Sequence, residues 1–277
     1  RERTVIYVRQ VNGSGMSVIV VDREIVHYEV LGRGRPLIFL HGWVGSWRYW
    51  IPVMQAAAIQ YRAYALDLWG FGDSAKSASR YTLEGQVSLL DNFLLELGIG
   101  RVALVGHGLG AFVALLYAAR FPEVVDRVMA VSYPMDEASI NTRLRTSPPP
   151  ALAEWLLGRT PETEPARADA PKTDPQALTA SFQTLASVNF KTLWGPSTTA
   201  CLLVHGNNDA AVTAPSLEQL ATLPEKTHTV LFDESGHFPM LDESNKFNRL
   251  MVDFLTLNSG ESPRQLQLKE EWKRRVR

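Results

Sequence analysis

Eight short apolar runs, several rich in β-branched residues and most set apart by longer stretches of helical spacing, constrain this chain more than any other feature. Short strands alternating with helices build βαβ units, and those assemble into a mostly parallel sheet with helices on both faces. Ser17–Val21 and Glu24–Val30, joined by the tight Asp22-Arg23 turn, read as an antiparallel hairpin at the sheet edge. Pro36–Leu40 is continuously apolar, as a strand covered on both faces must be. Tyr61–Leu66, Arg101–Val105, Asp126–Ser132, Ala200–His205 and Thr227–Phe232 continue the series. Helices are expected at about 47–59, 82–97, 109–120 and 245–257, the third stopped by Phe121-Pro122.

With 277 residues, 45% hydrophobic and 21% charged, the chain can bury a substantial core. Its 28 basic and 29 acidic residues leave a formal charge of -1, so no overall field draws it to nucleic acid or an anionic membrane. A small molecule, partly apolar, is the expected partner. Cys201 is the single cysteine, which excludes an intramolecular disulfide and a cysteine metal cage, and makes a reducing cytoplasmic setting the default expectation. No apolar run has the length of a membrane span, and Arg1–Gln10 lacks the pattern of a signal peptide.

About 65 residues separate the strands at 126–132 and 200–205, too many for a plain connection. The chain therefore divides into a core of 1–133 and 198–257, a small cap inserted at 134–197, and a polar, basic tail at 258–277. Seven of the sixteen prolines fall between Pro148 and Pro175, so this part of the cap is expected to be partly loop or mobile, with helices near 151–157 and 176–190 on either side. The tail reads as a solvated terminal helix or frayed end.

Chemistry in an open parallel sheet gathers just beyond the carboxyl ends of its strands. Five such points hold unusual residues: His41-Gly42-Trp43, Asp67 through Ser74, Gly106-His107-Gly108-Leu109-Gly110, Asp209 after Asn207-Asn208, and Gly236-His237-Phe238. In order, spacing and strand placement these resemble the α/β-hydrolase superfamily over almost the whole chain, from the edge strands to about Leu257. That resemblance implies an α/β-hydrolase fold and a hydrolase of a small ester or related acyl substrate, with no cofactor and no metal. It implies that Asp209 orients the ring of His237, that His237 is the general base, and that the backbone N–H groups of Trp43 and Leu109 form an oxyanion hole. His41, Gly42 and Trp43 would border the substrate pocket, and Trp47, Tyr49 and Trp50 beside them either line an apolar acyl pocket or pack the following helix.

The resemblance breaks at the attacking atom. The strand-to-helix elbow G-x-S-x-G carries its nucleophile at the middle position, and here that position is Gly108. Leu109 after it is similar to the serine-type elbow of esterases, C–C bond hydrolases and cofactor-free haloperoxidases, whereas aspartate-type members usually carry Trp there. The missing residue is accordingly read as Ser. Three readings follow: a serine hydrolase represented by its glycine variant; a non-hydrolytic ligand-binding or signalling member; or chemistry in which water, or the substrate's own group, fills the vacated place with His237 as base. Ordinary activity is expected to be low, and Gly108→Ser is the direct way to supply the atom. Gly106 to Ala111 also fits a dinucleotide-binding turn, yet the next strand ends in Val131-Ser132-Tyr133 with no acid for a ribose, and four motifs are left unexplained.

The remaining residues have quieter readings. His107 is expected to pack and hydrogen-bond inside the elbow, His41 to brace the hole loop, and Asp67 and Ser74 to support the loop that Gly70 and Gly72 turn. His27, His205 and His228 show no ligand spacing, and Cys201 reads as an inert buried thiol.

Overall fold

The computed structural model describes residues 17–190, 193, 199–258 and 261–266. The expectation for the tail beyond 266, and for the cap at 191–192 and 194–198, lies outside the described residues. Strands β1 (Ser17–Val21), β2 (Glu24–Leu31), β3 (Arg35–Leu40), β4 (Tyr61–Leu66), β5 (Val102–His107), β6 (Val125–Val131), β7 (Ala200–Gly206) and β8 (Thr227–Phe232) form one sheet. Its order is β1-β2-β4-β3-β5-β6-β7-β8. The pairs β1·β2 and β2·β4 are antiparallel, and every other pair is parallel. The edge hairpin turns on Asp22 and Arg23, both at positive φ, the geometry that matches the right-handed twist of its strands.

Helices α1 (Ile51–Ala57) and α10 (Ser244–Leu255) pack together, as do α2 (Leu83–Glu96) and α3 (Leu109–Arg120), and the two layers sandwich the sheet. β5 is buried along its whole length, as its apolar run Val102–Val105 demands of a strand covered on both faces. The helix expected over 47–59 begins as a 3-10 turn at Trp47–Trp50 and becomes α-helical at Ile51, with Pro52 in its first turn. Among the described residues no helix is long and apolar enough to cross a membrane.

Between β6 and β7 lie α4 (Thr142–Thr146), α5 (Pro149–Leu156), α6 (Glu164–Asp169) and α7 (Pro175–Leu185). The Pro-rich stretch is thus part helix and part loop, the loop running through 157–163. Pro149, Pro150, Pro165 and Pro175 occupy the first turns of α5, α6 and α7, and Pro171 that of a 3-10 turn at Ala170–Lys172. Proline lacks only an N–H that the first turn leaves unpaired anyway, and its fixed φ suits a helix start. Short helices α8 (Leu217–Ala221) and α9 (Pro239–Asp242) lie on either side of β8 in sequence.

One buried carboxylate concentrates several of the contacts that fasten the insert to the core. Buried Asp169 accepts from the Ser46 hydroxyl and pairs with Arg48 Nε at 3.0 Å and Lys172 Nζ at 3.1 Å, while Lys172 also reaches Asp73 at 3.0 Å. Asp169→Ala is expected to cost roughly 1–3 kcal/mol, because it strands a buried hydroxyl while the half-exposed cations recover solvent. Urea denaturation of the parent, Asp169→Ala and Asp169→Asn checks this, with Asn recovering part of the loss.

Candidate active site

The elbow closes as tightly as backbone permits. A Cβ on Gly106 would stand 2.3 Å from the Gly110 carbonyl oxygen, and one on Gly110 would stand 2.3 Å from that of Leu40. Between them Gly108 adopts φ +48° and ψ -109°, a conformation strained for any residue with a side chain. Its N–H donates to the Val131 carbonyl at 2.9 Å, which pins the turn to β6. The N–H groups of Leu109, the first residue of α3, and of Trp43 have no hydrogen-bond partner among the described residues.

Asp209 and His237 come from loops after β7 and β8. The Asp209 carboxylate lies 2.9 and 3.1 Å from His237 Nδ1. Two backbone donors, Ala211 N at 2.8 Å and Val212 N at 3.0 Å, fix the same carboxylate. Burial pushes this carboxyl up, but the adjacent imidazole and the two N–H groups more than offset it and leave it below its ordinary range. With Nδ1–H donating to Asp209, His237 presents Nε2 as a proton acceptor, and Nε2 has no hydrogen-bond partner among the described residues.

His107 ties the backbone of His237 to the loop of Gly42 and Trp43. Tyr49 Oη accepts from Gly42 N at 2.6 Å and therefore donates to His107 Nδ1 at 2.9 Å. His107 then carries its proton on Nε2 and donates to the His237 carbonyl at 2.9 Å. Burial, reinforced by the neighbouring His237, holds His107 well below the ordinary imidazole range and keeps it neutral. The Ser132 hydroxyl, at a residue with φ +48°, donates to the same carbonyl at 3.1 Å and so faces the backbone of His237. The His41 ring is likewise spent on backbone: Nδ1–H to Gly42 O at 2.8 Å, and Nε2 accepting from Leu68 N at 3.0 Å.

Trp43 is the element that sequence patterning leaves unreadable. A Cβ on Gly108 would stand only 2.9 Å from both Cε3 and Cζ3 of the Trp43 indole. That ring is buried, its Nε1 donates to Ser181 Oγ at 3.1 Å, and it stacks on Phe182 with centroids 4.9 Å apart and planes 18° apart. Both partners are on α7. The indole thus lies where a side chain at position 108 would begin, and the insert holds it there.

Asp67 supports the adjoining loop. Its oxygens accept from His27 Nδ1 at 3.0 Å, Asp73 N at 2.9 Å and Trp47 N at 3.0 Å, and the Ser74 hydroxyl donates to its carbonyl at 2.7 Å. His27 lacked any ligand spacing in sequence, and its role as the buried partner of Asp67 is visible only in the fold. His27, Asp67 and Asp73 bring three ligand atoms within 4.8 Å, but backbone N–H groups take the Asp67 oxygens and Lys172 takes Asp73. Cys201 is buried mid-strand with its thiol pushed far up by desolvation.

A mostly parallel eight-stranded sheet, an elbow of close-packed glycines and an acid–histidine pair beyond its strand ends define the class. The alpha/beta hydrolase family model matches residues 37–250, and the chain belongs to that family. The pimeloyl-(acyl-carrier protein) methyl ester esterase of Vibrio cholerae is 25% identical over 255 residues, spanning 83% of this chain and 98% of its own. The soluble epoxide hydrolase of a Corynebacterium species is 35% identical over 103 residues, 37% of this chain and 36% of that protein. Among solved structures, the enol-lactonase from Burkholderia xenovorans LB400 aligns at TM-score 0.75 and 21% identity over 87% of this chain and all of the other. An N-acyl homoserine lactonase, in a serine-to-glycine variant complexed with N-hexanoyl homoserine lactone, aligns at 0.76 and 19% over 87% of this chain and 97% of the other.

Proposed function

We propose that this chain binds a small carbonyl compound, an ester, lactone or related acyl group, above Gly108 and hydrolyses it slowly with water in place of a side-chain nucleophile. One observation carries the reading: the Asp209–His237 pair is fully assembled beside two unpartnered N–H groups at an elbow whose central residue is glycine. The substrate oxygen accepts from Trp43 N and Leu109 N. Once the Trp43 indole has moved off Gly108, His237 Nε2 takes a proton from a water in the space uncovered there, the oxygen of that water bonds to the carbonyl carbon, and the tetrahedral oxyanion is held by the two N–H groups. The imidazolium, steadied by Asp209, returns the proton to the leaving oxygen as the acyl C–O bond breaks. Family sites stripped of their nucleophile retain on the order of 10³–10⁴ over water, which sets the scale of turnover.

The relatives lend support to the substrate class. One is named for a methyl ester, two structural neighbours for lactones, and in one of those neighbours a glycine replacing a serine is compatible with a bound lactone. The test is hydrolysis of p-nitrophenyl acetate, p-nitrophenyl butyrate and N-hexanoyl homoserine lactone by the parent and His237→Ala. On at least one of them the parent is expected to exceed the buffer rate by a hundredfold or more, and His237→Ala to return it to the buffer rate. Equal rates for the two proteins sink the reading. The indole seated over Gly108 supports a second one, a ligand-binding member without turnover, which is expected to bind the lactone equally well with His237→Ala.

A further inference from the structure

β5 ends at the elbow; its other end opens into a cavity of about 510 Å³ under the amino ends of β3, β4, β5 and β6, closed on one side by the end of α10. The lining divides by chemistry. Pro36, Val102, Leu255 and Leu257 give an apolar wall, and Arg35, Arg101 and Arg127 bring three guanidinium groups against the single carboxylate of Asp126. Asp126 is already shared, with Arg101 Nη2 at 2.7 Å and Arg127 Nε at 2.6 Å. Arg127 is 4% exposed, and its Nη1 donates to the Phe254 carbonyl at 2.6 Å, which leaves Nη2 without a hydrogen-bond partner among the described residues. The Arg35 side chain makes no hydrogen bond or ion pair among the described residues. Tyr61, whose hydroxyl donates to Leu255 O at 2.8 Å, sits where both surplus charges are felt: burial raises its hydroxyl, and Arg35 and Arg127 oppose that rise.

A buried arginine is expensive to keep half-committed, and a cationic surplus walled by aliphatic side chains is matched by an anion on an apolar body. We infer that this cavity is a second ligand site, remote from the candidate active site, for a small amphipathic monoanion whose carboxylate or sulfonate bridges Arg35 and Arg127 while its apolar part lies on Pro36, Val102 and Leu257. Guanidinium groups suit this task because their planar N–H pairs match a two-oxygen anion and keep their charge at any accessible pH. The site depends on neither His237 nor Gly108, so it stands or falls apart from the hydrolytic reading.

The full chain is titrated with 8-anilinonaphthalene-1-sulfonate, followed by fluorescence and by calorimetry, and the bound dye is then competed with octanoate and with 1-octanol. One site per chain is expected, displaced by octanoate at concentrations at least tenfold below those of octanol. Arg35→Glu, at an exposed position, is expected to weaken binding at least tenfold, and Arg33→Glu, exposed in the neighbouring turn but outside the lining, by less than twofold. Equal effects of the two variants, or equal displacement by octanoate and octanol, overturn the proposal: the first shows a diffuse charge effect, the second an apolar surface without an anion seat. Dye binding unmoved by Arg35→Glu overturns it as well, since the dye then sits elsewhere.

Discussion

Gly108→Ser is expected to destabilise the protein by roughly 2–5 kcal/mol and, alone, to add little hydrolysis. Two costs combine. A side chain at φ +48° carries backbone strain of about 1–3 kcal/mol, and the new Cβ meets the indole of Trp43 at 2.9 Å, well inside ordinary contact. The indole cannot yield freely, because Ser181 holds its nitrogen and Phe182 its face. A double-mutant cycle with Trp43→Leu isolates the second cost. The serine is expected to be about 1–3 kcal/mol less harmful when Trp43→Leu is already in place, read from urea midpoints. With the ring removed, the hydroxyl gains room beside His237, and p-nitrophenyl acetate turnover of the double variant is expected to exceed that of either single variant by on the order of 10²-fold. If the cycle shows no coupling, the indole is not what the glycine accommodates.

The other large effect centres on Asp67. Asp67→Ala is expected to cost about 3–5 kcal/mol, since it leaves the buried His27 Nδ1–H and the N–H groups of Trp47 and Asp73 facing an empty place. Its pH dependence has a definite sign. Burial works against a charged His27, but the Asp67 bond and charge, with Glu29 and Asp73 nearby, raise it above its ordinary 6.5. The stability from His27 is therefore complete below 6.5 and is lost as pH rises through the raised folded value. Asp67, despite full burial, is lowered from 3.8 by His27 and the backbone donors, so its share is present above 3.8 and is lost as pH falls through the folded value. The pair contributes most between about 4 and 6.5. His41, His107 and His205 are lowered by burial and act in the opposite sense, losing stability on acidification. The contribution is accordingly read from the difference between parent and Asp67→Asn across about pH 4–9, which is expected to be largest near pH 5–6 and to shrink towards pH 9. A flat difference shows that the pair is not ionic.

Local chemistry made the architecture legible. Apolar runs of strand length marked all eight strands, and Asp209 and His237, read from loops 28 residues apart in sequence, stand within about 3 Å of each other. Composition says less where one residue type serves two ends: prolines that break helices also begin them, and only the fold shows that Pro149, Pro150, Pro165, Pro171 and Pro175 do the latter. The contacts beyond reach were those set by distant packing. Trp43 meets Ser181 across 138 positions, and Asp169 meets Ser46 across 123. No periodicity or spacing announces such pairs. His27 was passed over for the same reason: its partner lies 40 residues on, and a lone histidine in a strand carries no local signature.

The stacking of Trp43 on Phe182 also has an optical side. Two aromatic rings held nearly parallel at 4.9 Å share their electronic transitions, and a fixed, asymmetric pair of that kind is dichroic in the near ultraviolet. Because one rigid indole makes both contacts, a displacement that takes it off Gly108 also alters its stacking on Phe182. Whether the seat above the elbow is covered or open is thereby written in the protein's own absorption of polarised light, with no label attached.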